Sequence, residues 1–241
     1  MTVPLIEARA LGKSFGTAPV LREINLAVEA GRGAAVVGAN GAGKSTLIRL
    51  LAGLSAPSLG AAMLFGVPAR SLKPMLRRRV GLLSHQSFIY PNLTARENLE
   101  FYATLYGVAQ ARAAAAEWLE RVALEAAADA RVHGFSRGME QRLAIARAML
   151  GRPDVLLLDE PFAALDADGA ALAAALVREA MGRGCAVLAS AHSADALEEL
   201  GFAVLTLRRG KLVSDAGVRG GPRNGARAAC PANFVKGVRP S

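Results

Sequence analysis

Apolar positions along the chain follow two rhythms. Near the start, PLIEARAL and PVLREINLAVEAG read as extended segments, the second with an in-out alternation that stops at a glycine turn. From residue 34, AAVVG is an unbroken apolar run that passes directly into GANGAGKST and then into LIRLLAGL, whose apolar residues have helical spacing. RVGLLSHQ is a further short strand pattern. Between about residues 91 and 150 the rhythm changes. TARENLEFYATLYG, ARAAAAEWLERVAL and GMEQRLAIARAMLG carry helical spacing, few β-branched residues, and glycine or proline at their borders. Strand patterns return in DVLLLDE and CAVLASAH, separated by an alanine-rich helix from Asp168 to Met181. Runs apolar on both faces belong to the middle of a parallel sheet. AVLTLRRGKLVS reads as a hairpin turned at Gly210. The pattern therefore predicts an α/β fold with a helical subdomain, about residues 87–150, inserted between its halves.

Composition narrows the possibilities. The 241 residues are 52% hydrophobic, enough for one well-packed domain, yet no run approaches the roughly 20 apolar residues of a membrane-spanning helix. The first residues, MTVPLIEARALGKSFG, place Glu7 inside the first apolar run and lack the pattern of a signal peptide, which predicts a cytoplasmic location. Cys185 and Cys230 form neither a disulfide framework nor a metal-ligand spacing. The net charge of +9 is uneven: Arg219, Arg223, Arg227, Lys236 and Arg239 lie in a stretch from Ala216 onward that has no acid. This segment, rich in glycine and proline, reads as a disordered basic tail covering residues 214–241. Nucleic-acid binding has only that charge in its favour, since no reading helix or aromatic-basic platform accompanies it, and none is expected. An anionic membrane leaflet or a membrane partner would suit the tail equally well.

The chemistry starts at residues 38–45. GANGAGKS fits G-x-x-x-x-G-K-[ST], with a strand before it and a helix after it. Gly38, Ala39, Asn40, Gly41, Ala42 and Gly43 would wrap backbone N–H groups around phosphate oxygens, with Thr46 opening the helix behind them. Lys44 would reach the β- and γ-phosphates, and Ser45 would offer its hydroxyl to Mg²⁺. Downstream, VLLLDEP puts Asp159 and Glu160 side by side at a buried strand end, where the adjacent carboxylates would repel without a cation. Asp159 could hold the Mg²⁺ shell through water, and Glu160 could polarise an attacking water.

A second small loop raises a question. FSRGMEQR, residues 135–142, places Ser136 and Gly138 ahead of another helix, a second potential phosphate cradle in one chain. One nucleotide cannot easily use both from one subunit, but it can use one from each of two.

That arrangement resembles the ATP-binding cassette family over about residues 4–213. GANGAGKST is similar to its Walker A loop, FSRGMEQ to its signature loop, VLLLDEP to its Walker B strand, AALD (163–166) to its D-loop, and SAH to its switch histidine, His192. Gln86 in LLSHQS matches the glutamine that touches the metal, and Phe15 in KSFG the aromatic that stacks on adenine. The resemblance implies a P-loop NTPase (RecA-like) core with an N-terminal antiparallel β subdomain and an inserted helical subdomain, residues 1–213 forming a single cassette. It also implies ATP and Mg²⁺ as cofactors, with Ser45, Gln86 and Asp159 around the metal. Glu160, His192 and Lys44 become the catalytic group, and Asp166 the D-loop acid. Ser136, Arg137, Gly138 and Met139 would act across a homodimer seam. The signature departs from the usual LSGGQ at Phe135, Arg137 and Met139, the last removing an amide at that seam.

Two copies are expected beneath separately encoded membrane permease subunits, peripheral on the cytoplasmic face of the membrane. Phe88, Ile89, Tyr90, Phe101, Tyr102 and Tyr106 fall where the family receives a coupling helix. The wording of LTARENLEFYATLYG and FSRGMEQRLAIARAML resembles the ATP-binding subunit of the haem exporter of cytochrome c maturation, although multidrug, polysaccharide and lipid export cassettes share much of it. No direct haem binding is expected, since His85 and His133 show no suggestive pairing. Cassettes that act on ribosomes or DNA usually carry two copies or a long coiled-coil insertion, for which this length leaves no room. A regulatory role without turnover is a third reading, opposed by the presence of both Glu160 and His192.

Overall fold

The computed structural model describes residues 3–213. The expected tail, residues 214–241, lies outside the described residues. Two sheets form. The first is antiparallel, in the order β2-β1-β4-β5, from β1 (Ile6–Phe15), β2 (Ala18–Val28), β4 (Leu59–Leu64) and β5 (Val67–Pro68). The second has the order β10-β9-β3-β8-β7-β6, from β3 (Gly33–Val37), β6 (Val80–Leu83), β7 (Val155–Asp159), β8 (Ala186–Ala191), β9 (Ala203–Arg208) and β10 (Lys211–Val213). Its first five neighbours in space after β10 are parallel, and β10 returns antiparallel to β9. The two sheets have the layout expected of a P-loop core with an N-terminal antiparallel β subdomain.

The apolar-on-both-faces reading of the central strands has a direct structural meaning. Along β7, Val155 and Leu157 pack into the core shared with the antiparallel sheet, while Leu156 and Leu158 pack into the core shared with the helices. Strand β8 divides the same way, Ala186 and Leu188 against Val187 and Ala189. The sheet thus separates two cores, and each strand residue is buried on one side or the other. On the antiparallel side lies α1 (Lys44–Leu51), whose Leu47, Ile48, Leu50 and Leu51 are at most 1% exposed. Each such burial stabilises by about 1.5–3 kcal/mol before entropy is counted, which anchors the phosphate loop at the head of α1.

On the other side are α3 (Ala95–Tyr106), α4 (Ala111–Arg121), α5 (Arg137–Met149) and α6 (Ala167–Gly182), with the single-turn helices α2 (Pro74–Arg77) and α7 (Asp195–Glu198) at connections. The start of α3 is a capping box: Thr94 Oγ1 accepts from the Glu97 N–H and Glu97 Oε2 accepts from the Thr94 N–H. That bonding holds the Glu97 carboxyl below its ordinary range. Gly107, at φ 74°, ends the helix. The hairpin at Gly210 forms as expected, with Arg209 and Gly210 both at positive φ, the geometry of a two-residue hairpin turn. Strand β4 was not legible: LGAAML has little β character of its own and is extended because Ile6, Glu7, Ala8 and Arg9 of β1 pair with it. Among the described residues no helix is long and apolar enough to cross a membrane.

Candidate functional site

The parallel strands deliver their chemistry at their carboxyl ends, where β3 runs into Gly38, β7 ends at Asp159, β8 is followed by His192 and β6 precedes Gln86. The loop after β3 needs its glycines for identifiable reasons. A Cβ on Gly38 would stand 2.6 Å from the Leu207 carbonyl oxygen, and Gly43, at φ 107°, would bring one to 2.9 Å from Leu21 Cδ2. Gly43 caps α1 with no side-chain hydrogen bond, so the first N–H groups of that helix have no side-chain acceptor. Lys44 is 5% exposed and its Nζ donates to the Gly38 carbonyl at 2.7 Å and the Ala39 carbonyl at 3.3 Å. Its ammonium is therefore pulled back along the loop that it serves.

Asp159 and Glu160 have separate environments. Asp159 is 7% exposed, and Oδ1 accepts from the Ser190 hydroxyl. Glu160 lies in the left-handed region at φ 53°, its N–H donating to Ser190 Oγ at 3.1 Å. Its Oε1 is 3.0 Å from His192 Nε2 and 3.8 Å from Lys44 Nζ. Ser190 thus ties the Asp159 carboxylate to the Glu160 backbone, because β7 and β8 pair Asp159 with Ser190 directly. Sequence reading missed Ser190; its signal was a lone hydroxyl residue in the apolar run CAVLASAH.

A cleft of about 470 Å³ joins these groups to the helical side, lined by Ser45, Ser84, His85, Ser87, Arg137, Glu140, Gln141, Asp159, Glu160 and Ala163. The donor set fits a hard divalent cation: an exposed serine hydroxyl and a buried carboxylate whose protein partner is a neutral hydroxyl share one wall. Gln86 is exposed on the Ser84–Ser87 loop, where Ser84 Oγ bonds its carbonyl oxygen. Phe15 is 58% exposed at the end of β1, with Lys13 Nζ 4.9 Å from its ring centroid.

The second loop is built differently. Ser136 caps α5 by accepting from the Met139 N–H at 3.3 Å, and Ser136 and Arg137 are exposed. Gly138 faces the Ala164 carbonyl, to which an added Cβ would approach within 3.1 Å. Met139 is half-buried against the helical core, and Gln141 Nε2 donates to the carbonyls of Glu160 and Pro161. Gln141 is a second residue given no role from sequence. Asp166 is exposed, and its Oδ1 accepts from the Gly169 N–H to cap α6. Of the six aromatic or apolar residues expected in a partner socket, Phe88, Tyr90 and Phe101 are exposed, whereas Ile89, Tyr102 and Tyr106 pack inward. Burial pushes the Tyr102 phenol up to about 12, so it stays protonated and donates to the Phe88 carbonyl.

Comparison with known proteins decides the family. The ABC transporter family model matches residues 21–163. The chain belongs to the ABC transporter family. It is an ATPase, and ATP with Mg²⁺ is what the cassette uses. The chain is 35% identical over 217 residues to the Nod factor export ATP-binding protein I of Burkholderia orbicola (strain AU 1054), covering 89% of this chain and 71% of that one. It is also 35% identical over 212 residues to the protein of the same description from Paraburkholderia xenovorans (strain LB400), covering 87% and 70%. The dimeric structure of a bacterial ABC transporter cassette superposes with a TM-score of 0.78 at 26% identity, covering 86% of this chain and 96% of that one.

These relatives overturn the haem-export and cytochrome c-biogenesis expectation, because they are described as Nod factor export ATP-binding proteins. The structure explains the error. In the stretch that carried the reading, Thr94 and Glu97 form a capping box, Leu99, Tyr102 and Ala103 are buried, and Gly107 terminates the helix. In the second stretch Ser136 is a cap and Leu143 to Met149 are buried. Such residues cap and pack helices, and they say nothing about cargo.

Proposed function

We propose that this chain is the ATP-hydrolysing subunit of an ABC exporter of the Nod-factor-export type, moving a polysaccharide- or lipid-class cargo that the chain itself does not touch. Residues 1–213 form its cassette. The observation that carries the reading is Glu160, whose Oε1 is flanked by His192 and Lys44 in the cleft shared with Ser45 and Asp159. With Oε1 occupied in this way, Oε2 is the oxygen left to accept a proton from an attacking water. His192 orients the carboxylate, and Lys44 with the loop N–H groups stabilises charge on the transferring phosphoryl group. Ser45 and Asp159 would hold Mg²⁺, with Gln86 reaching it from its loop; the ion supplies neutralisation of the phosphate oxygens. Phe15 offers an exposed ring to the base.

Ser136, Arg137, Gly138 and Met139 serve the nucleotide of a second copy, with Asp166 at the same seam. The dimeric state of the related cassette supports this. Exposed Phe88, Tyr90 and Phe101 offer rigid contact area for a separately encoded membrane subunit, which would hold the dimer on the cytoplasmic face of the membrane. Replacing Glu160 by Gln tests the assignment. Phosphate release should fall about 10²–10³-fold while ATP still drives dimerisation, as seen by light scattering. Phosphate release within a factor of a few of the wild type would remove Glu160 from its role.

A further inference from the structure

One buried cation is not used by the site as described. Arg147, late in α5, is 4% exposed, and among the described residues no carboxylate lies within ion-pairing distance of it. Its Nη2 donates to the Leu82 carbonyl in β6, and its Nη1 lies 3.5 Å from the Tyr106 hydroxyl. Its guanidinium carbon sits 5.6 Å from the Phe88 ring centroid and 5.4 Å from that of Tyr102. Nε is buried with no hydrogen-bond partner. A guanidinium desolvated without a counter-ion is costly, and an unbranched methionine would fill much of the same space without that cost. Its contacts show what the charge does instead. Every one of them falls on the strand leading to the Gln86 loop, on that loop, or on the helix packed beneath it.

The loop itself is fastened at three points. Ser87 Oγ donates to Glu140 Oε1 at 2.7 Å, which ties it to the first turn of α5. The Phe88 carbonyl accepts from Tyr102, and Phe88 is a non-glycine residue at φ 55°, a conformation its surroundings must hold. The fully buried Asn98 brackets Tyr90 through both its N–H and its carbonyl. Gln86 is adjacent to this fastened stretch. Helix α5 meanwhile begins at the Ser136 loop, so one rigid rod carries the trans loop at one end and Arg147 near the other.

Resting on the site reading above, we infer that Arg147 is a positioning residue that locks the Gln86 loop to the helix bearing the Ser136 loop, so that the two nucleotide-facing segments move together. Its cation–aromatic and carbonyl contacts set the loop, and the unpartnered Nε marks a charge retained for that purpose rather than for packing.

Hydrogen exchange and steady-state hydrolysis on the full chain test this, using wild type, Arg147→Met and Arg147→Lys. In Arg147→Met, amides of residues 84–90 should exchange at least about tenfold faster while those of residues 143–149 and 155–159 keep their protection. The turnover number should fall about 10–100-fold, as expected when a catalytic segment is misplaced, with ATP affinity held within about twofold. Arg147→Lys, which keeps a cation over the rings, should recover part of both. Uniform loss of protection across α5 and β7 would reduce Arg147 to core packing, and unchanged turnover would overturn the inference outright. If Arg147→Met does not fold, Phe88→Leu decides: it removes the loop ring that the guanidinium faces while leaving Arg147 in the core, and unaltered loop exchange in it would refute the lock. A wild type that binds ATP without hydrolysing it would instead sink the catalytic reading and the inference with it.

Discussion

The chain carries two glycine-containing loops at helix starts, and they are built on opposite plans. At α1 the cap is Gly43, left-handed and without a side-chain hydrogen bond, with a buried lysine folded along the loop and two carboxylates close by. On the proposed reading, the groups that would hold a phosphate and a cation here all stand within one chain. At α5 the cap is Ser136, whose hydroxyl already serves the Met139 N–H, and the exposed residues are Ser136 and Arg137. That Arg137 is the first residue of the helix is itself unfavourable, because a cation there opposes the helix dipole by about 0.3–1 kcal/mol. An anion brought from outside would relieve this. On the proposed reading the first loop is a complete site and the second half of one, which is why the proposed cycle needs a second copy of the chain.

The largest effect should come from breaking the complete loop. Lys44→Ala removes the only ammonium within 4 Å of Glu160 among the described residues, and hydrolysis should fall about 10²–10³-fold, measured as phosphate release at saturating ATP. The fold should survive, since the lysine's own bonds are to two loop carbonyls and α1 is anchored by its leucines. Activity within tenfold of the wild type would mean that the first loop does not handle the transferring phosphoryl group.

These two plans were unequally legible. The first loop announces itself locally, since the strand, the glycines, the lysine and the helix are contiguous. The Glu160–His192 pair was legible only through resemblance, because those residues are brought together by the pairing of β7 with β8. The roles of Ser190 and Gln141 were missed for the same reason: each acts across a strand or helix boundary on backbone that sequence periodicity does not locate. The central strands and the helices were readable because burial on two faces or one leaves a period in the sequence. Strand β4 was not, because its pairing with β1 supplies what LGAAML lacks. Cargo was misread because the residues that carried the reading cap and pack helices.

A smaller effect belongs to the half-built loop. Ser136→Ala deletes the α5 cap and should cost about 1 kcal/mol, or a fall of roughly 2–4 °C in thermal midpoint by calorimetry. The same hydroxyl is proposed to face the partner's nucleotide, so ATP-driven dimerisation should weaken by more than that cap energy accounts for. A loss of dimer affinity no greater than about tenfold, the equivalent of about 1.4 kcal/mol, would confine Ser136 to capping.

The smallest effect on the fold should accompany the sharpest test of the comparison. Gly138 lies in the first turn of α5 at an ordinary negative φ, so Ala there gains up to about 0.5–1 kcal/mol of helix preference. Its new Cβ would meet the Ala164 carbonyl oxygen at 3.1 Å, a tight approach that offsets the gain. Gly138→Ala should therefore leave the thermal midpoint within about 2 °C of the wild type. If backbone at this position must approach a phosphate held by the facing subunit, the added methyl group stands in the way. In the Glu160→Gln background, where ATP would otherwise hold the dimer closed, light scattering should then report monomer. A persistent dimer would show that the second loop is not completed by the partner's nucleotide. A large fall in midpoint with the dimer intact would show that Gly138 is small only to fit Ala164.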